Sequence, residues 1–265
     1  VLGLSLSAAN IIEAQGLLRL VSSACFAALA VKLWRQDLRK GYPFFFWYVT
    51  FRLLRAVVLL PFPTNRTIYG YLFIPTELVL WVFYVLVVLE LYRLVLRDFK
   101  GIATLGRWVV LGALSLSVLL SLLSLAPDLS SRQAYPILQA VFVMGRAICS
   151  SLAIFLLLIT AFLVFYPVPL SRNVIVHTVV YAVYFLSLTM TYFVRNVAGP
   201  DVVLPLNIVL QAVTVLTLLA WIVLLSPAGE QVVISVRPRW APEEEQRLVR
   251  NLDSINAALL RAARK

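Results

Sequence analysis

Four arginines stand inside stretches that are otherwise apolar: Arg19, Arg52, Arg55 and Arg146. The sharpest case is Phe44 to Phe62, FFFWYVTFRLLRAVVLLPF, where Arg52 and Arg55 lie near the middle and, three residues apart, share one helical face. A guanidinium at bilayer mid-depth is costly unless it faces a bundle interior and finds a partner. Arginine suits such a position because its planar fork binds carboxylates bidentately and stays charged when buried. Two carboxylates are near enough to answer: Glu77 in the third apolar stretch and Glu13 at the margin of the first. Two carboxylates against four arginines leave positive charge to be met by carbonyls, water or a bound anion. The chemistry this points to is recognition of a carboxylate- or phosphate-bearing small molecule. Arg19, Arg52, Arg55, Glu77, Arg146, Asn207 and Gln211 are the candidate ligand-binding residues. In the plainer reading, Glu77 bridges Arg52 and Arg55 while Arg19 and Arg146 reach carbonyls or water, and the charges only fix helix register.

The elements that must position these groups are membrane spans. Of 265 residues, 62% are hydrophobic and 13% charged, with mean hydropathy +0.94; soluble domains carry about 25% charged residues. Apolar runs of ~20 residues or more are long enough to cross a hydrocarbon core. Seven spans are read, at about 11–31, 43–62, 70–92, 108–126, 135–165, 174–194 and 204–225. The fold class is an all-α integral membrane protein, a seven-transmembrane helix bundle over 1–225 followed by a cytoplasmic tail over 226–265. Loops 32–42 and 93–107 hold four basic residues each, Arg172 lies in loop 166–173, and the tail holds seven more; the opposite side has Arg66, Arg132 and Arg195. Lys and Arg collect in cytoplasmic loops, which puts the N-terminus outside and the C-terminus in the cytoplasm, in a plasma (inner) membrane. The net charge of +11 is therefore a topology signal, and no nucleic-acid partner is expected. The chain start shows no signal-peptide pattern.

Within the spans, polar side chains recur on single faces: Glu77, Trp81 and Tyr84; Gln139, Phe142, Arg146 and Ser150; Tyr184, Ser187 and Thr191; Asn207, Gln211 and Thr214. Turned inward together they make a polar centre open toward the outer half. Glu90, beside Tyr92 and Arg93, reads as a local salt bridge, and His177 as a satisfied helix-end histidine. In the tail, Gln231–Val236 is too short and isolated to be more than a candidate strand. From Pro242 to about residue 264, Leu248, Leu252, Ile255, Leu259 and Ala262 form one stripe of an amphipathic helix. That helix lies on the membrane or packs under the bundle, or it docks a cytoplasmic protein partner or forms a dimer.

Pro75-Thr-Glu77-Leu-Val-Leu in span three and Pro205-Leu-Asn207-Ile-Val-Leu in span seven match as Pro-x-[Glu/Asn]-x-Val-Leu. Arg19 ahead of Ser22-Ser-Ala-Cys25 and Arg146 ahead of Cys149-Ser-Ser match more loosely. Read as a repeat, spans 1–3 and 5–7 run in one direction with span four as the inverting linker. This 3+1+3 plan resembles that of sugar transporters of the SWEET class in architecture alone, since their Pro-Gln pair is absent from spans one and five.

Catalysis is not expected. Span seven has no lysine for a retinal Schiff base, one His and two Cys supply no metal set, and no phosphate-binding loop or dinucleotide fingerprint is present. No cofactor is implied. The leading expectation is a receptor- or sensor-like membrane protein that reports pocket state to a separate cytoplasmic partner. The alternatives are a small-solute or organic-anion transporter and a structural subunit of a membrane complex.

Overall fold

A computed structural model describes residues 8–59, 66–96, 136–165, 169–198, 202–235 and 242–262, together with Gly112 and Ser115. Its elements are α1 (Ala8–Arg35), a 3-10 turn (Leu38–Lys40), α2 (Pro43–Leu59), α3 (Arg66–Val95), α4 (Pro136–Phe165), β1 (Pro169–Ser171), α5 (Arg172–Ala198), α6 (Val203–Leu224), α7 (Pro227–Gln231), β2 (Val233–Ser235) and α8 (Pro242–Ala262). Among the described residues, five helices contain segments long and apolar enough to cross a membrane: Glu13–Arg35, Gly70–Val95, Val143–Ala161, Arg172–Val194 and Val203–Leu224; α2, of 17 described residues, is not one of them. The protein is thus a multi-pass, all-α membrane protein. The apolar stretch 108–126 lies outside the described residues apart from Gly112 and Ser115.

Local chemistry explains where the helices stop. Lys32 and Arg35 close the last turn of α1, where cations favour the helix dipole. Asp37 then takes a left-handed conformation, φ 56°, which a short polar side chain tolerates better than most. Pro43 opens α2, a place where its missing N–H is harmless. At the same end of the fold, Lys32 Nζ donates to the carbonyls of Ile222 and of Leu225 (2.6 Å). The lysine that sequence assigns to a loop is therefore the last turn of one helix and the C-terminal cap of another.

The helices α1 to α6 each pack on the next, and α6 returns to α1; α3 also touches α5. Inside this ring the core is strongly aromatic, with Phe45, Tyr48, Tyr181, Phe185 and Trp221 almost wholly buried. Apolar side chains such as Leu54, Leu158, Leu216 and Val223 are exposed on the outer helix faces, a pattern suited to lipid and unsuited to water. Neighbours α3 and α4 run parallel: Gly145 faces Trp81, and Phe155 meets Tyr92 with ring centroids 5.3 Å apart. Gly145 permits the first contact, because a Cβ there would lie 3.2 Å from the Trp81 ring. Pro75 sits ten residues into α3 whereas Pro205 is the third residue of α6, so the two prolines do not occupy equivalent helical positions.

Candidate functional site

The α2–α3 interface carries the charges. Arg55 Nη2 lies 2.5 Å from Glu77 Oε2, with side-chain exposures of 8% and 12%. Antiparallel packing aligns the two helices so that Tyr48 also meets Tyr84 and Phe51 meets Phe83, with ring centroids 5.8 and 5.3 Å apart. The pairing of Glu77 with one of these two arginines is what the spacing predicts.

Arg52, on the same face and nearly one turn toward the basic end, has a different environment. Among the described residues it has no ion pair of its own; its Nε, like that of Arg55, is buried without a hydrogen-bond partner among them. Its guanidinium carbon lies 5.2 Å from the centre of the Phe26 ring, within cation–π range. Tyr184, Tyr48, Tyr84 and Glu77 lie within electrostatic reach. The hydroxyls of Tyr84 and Tyr184 are 3.1 Å apart, and both rings are buried. The result is a half-buried cation beside buried phenol hydroxyls, supplied by α2, α3 and α5. Sequence inspection had Tyr84 and Tyr184 on polar faces but gave no reason to join them.

The remaining candidates are not all brought to this centre. Arg19 is exposed on α1, and it lies seven residues, about 10 Å of helix, from the Phe26 that meets Arg52, on the side away from the basic end. Its carbonyl accepts the hydroxyls of Ser22 and Ser23. The expected four-arginine centre is therefore reduced, because axial distance removes Arg19. Arg146 is half-buried beside Gly145 on α4, and its carbonyl accepts the Ser150 hydroxyl at 2.8 Å. Asn207 is half-buried on α6; Gln211 is too, but its Oε1 is buried and unpartnered. Ser187, Thr191 and Thr214 turn their hydroxyls onto carbonyls of their own helices. The side chains of Gln139 and Phe142 lie outside the described residues. Among the described residues no cluster of three His, Cys, Asp or Glu could hold a metal ion.

A second polar assembly, missed in the sequence, lies at the basic end. Among the described residues Glu90 forms no salt bridge; its two oxygens accept the backbone N–H groups of Phe44 and Phe45, both at 3.1 Å. A carboxylate from α3 thus satisfies the free amides that begin α2. Tyr42 donates to Glu230 at 2.6 Å, and Asn173 Nδ2 donates to the same oxygen at 2.6 Å and to the Ser226 carbonyl at 2.8 Å. Burial, reinforced by Glu230, pushes the Tyr42 phenol well above the ordinary tyrosine range. Ser226 caps α7 by accepting the Gly229 amide. A Cβ on Gly229 would fall 2.2 Å from Asn173 Oδ1, so only glycine permits that approach.

This assembly gives the candidate strand its partner. β2 pairs antiparallel with β1, with Leu170 opposite Ile234, and the Arg172 amide donates to Val232. The tail is thereby fastened to the start of α5. One readable signal was available, Ser226-Pro227 as cap and first residue of a short helix; a three-residue strand offers none. His177 is likewise not a satisfied helix-end histidine. It is fully buried, both ring nitrogens lack partners among the described residues, and the rings of Tyr42 and Phe45 each lie 4.5 Å from its own. Packing of three segments around one position produced that cage.

Comparison with protein-family models, with curated proteins and with solved structures found no match to this chain.

Proposed function

We propose that this protein is a receptor- or sensor-like seven-helix membrane protein that binds a small anion at the Arg52 centre. It would report occupancy through the tail to a separate cytoplasmic protein. The observation that carries the reading is the contrast within one helix face. Arg55 has its carboxylate in Glu77, while Arg52, half-buried beside Phe26 and tyrosines, has none within ion-pair distance among the described residues. A half-buried cation without a paired carboxylate favours an anionic guest that accepts from the guanidinium and from phenol hydroxyls.

Seven crossings and an outside N-terminus belong to the same proposal. The parallel packing of α3 and α4 supports the count, because parallel neighbours need a returning segment, for which 108–126 is the apolar candidate. The reporting route is supported by the clasp: Tyr42, Asn173 and Glu230 tie the α1–α2 turn, the start of α5 and the tail to one another.

The test is mass spectrometry of small molecules and proteins retained on gentle purification. Wild type should carry a carboxylate- or phosphate-bearing species that Arg52→Gln lacks, and deletion of residues 242–262 should release a co-purifying protein without losing that species. The same species on both full-length forms, or none on either, overturns the reading. A transporter is the second reading, favoured by one observation: α3–α4 and α6–α1 are both contacts between elements that a 3+1+3 repeat would relate. Uptake of the retained anion by protein-containing liposomes, lost in Arg52→Gln, would select it.

A further inference from the structure

At the basic end, on the outer side of the α1–α2 junction, a cleft of about 260 Å³ is lined by Trp34, Arg39, Lys40, Pro43, Phe46 and Trp47. Its size is below the ~300–1,000 Å³ usual for small-molecule sites, and its composition is divided. The floor is aromatic: Trp34 and Phe46 have centroids 6.0 Å apart, Phe46 and Trp47 5.8 Å. Both tryptophans are more than half exposed, at 57% and 58%, at the end of α1 and the start of α2. Amphipathic rings take that position at the level of lipid headgroups.

The rim is basic and partly pre-set. The Arg39 guanidinium lies over the Trp34 ring, 3.8 Å from its centroid, and its Nε faces Asp37 Oδ1 at 3.6 Å. Lys40 also pairs with Asp37, and Arg35 is exposed one turn back. Three cations against one carboxylate leave the rim positive. Stacking and the Nε contact hold the guanidinium plane, so its other edge is oriented toward an incoming anion without further ordering cost. The amides that begin α2 do not contribute, since Phe44 and Phe45 already donate to Glu90.

We infer that this cleft binds one anionic phospholipid, its phosphate on Arg39 and Lys40 and the first part of an acyl chain on Phe46 and Trp47. Charge complementarity selects the headgroup, and the apolar floor at interfacial depth selects a lipid over a soluble anion. Basic clefts between spans at this level recognise anionic headgroups in just this way. The site is separate from the Arg52 centre, so either can fail without the other.

Native mass spectrometry of the full chain in mild detergent tests it, with phosphatidylglycerol, phosphatidylcholine and inorganic phosphate as probes. One phosphatidylglycerol should be retained in preference to phosphatidylcholine, and inorganic phosphate should not displace it. Arg39→Gln and Lys40→Gln should each weaken retention about fivefold. Asp37→Asn, which removes the competing carboxylate, should strengthen it, a gain that misfolding does not produce. Equal retention of the two lipids, indifference to all three substitutions, or displacement by inorganic phosphate overturns the inference.

Discussion

Glu77 on α3 lies 2.5 Å from Arg55 on α2 and is the only carboxylate within ion-pair distance of either α2 arginine among the described residues. Removing one partner of a buried pair strands the other, at a cost of ~3–5 kcal/mol. Glu77→Ala should therefore lower stability by about that much. The double variant Arg55→Met/Glu77→Leu should recover most of the loss, because the pair is replaced by apolar groups of similar size. Thermal unfolding of the four proteins in one detergent measures the cycle.

Arg52 should behave differently. With no carboxylate in ion-pair contact to strand, Arg52→Gln should cost about 1–2 kcal/mol through lost cation–π contact. It should nevertheless abolish the rise in melting temperature that a bound carboxylate or phosphate compound gives the wild type. A melting-temperature screen of small anions against both proteins reads the two effects separately.

The clasp at the basic end depends on one glycine. Gly229→Ala places a methyl against Asn173 Oδ1 and should destabilise the clasp by about 1–3 kcal/mol. Asn173→Ala, which removes the bonds to Glu230 and Ser226, should cost a similar ~1–3 kcal/mol. In both, hydrogen exchange at the Arg172 amide, bonded to Val232, should speed up, while amides in the middle of α5 keep their protection.

Tyr42 makes the clasp sensitive to alkali. Its phenol is raised by burial and then by Glu230, so the fold favours the neutral form. That contribution is complete below the ordinary tyrosine value of ~10 and drains away as pH rises above it. Tyr42→Phe should lower stability at neutral pH and flatten the loss above pH ~10, as followed by melting temperature against pH.

Glu90 caps α2 with two charge-assisted bonds. Glu90→Ala should cost ~1–3 kcal/mol and raise exchange at the Phe44 and Phe45 amides. Glu90→Gln, which can accept but carries no charge, should fall between.

By itself the sequence determined the membrane-spanning class, most helix limits among the described residues, and the basic end where Lys32, Arg35, Arg39 and Lys40 collect. These follow from local hydropathy and charge, which a single helix expresses without its neighbours. It also determined that Arg52 and Arg55 share a face and that Glu77 has the right depth, since helical period and rise set both. Which arginine takes the carboxylate was a tertiary decision, because spacing fixes a face but not the rotation and approach of the opposing helix. The same holds for Arg19, whose residue type matched the centre while its place along α1 did not. The Tyr42–Glu230–Asn173 clasp joins residues far apart in the chain, and β1 and β2 have three residues each. Segments so short carry no pattern of their own, and only the packed bundle brings their backbone donors and acceptors together.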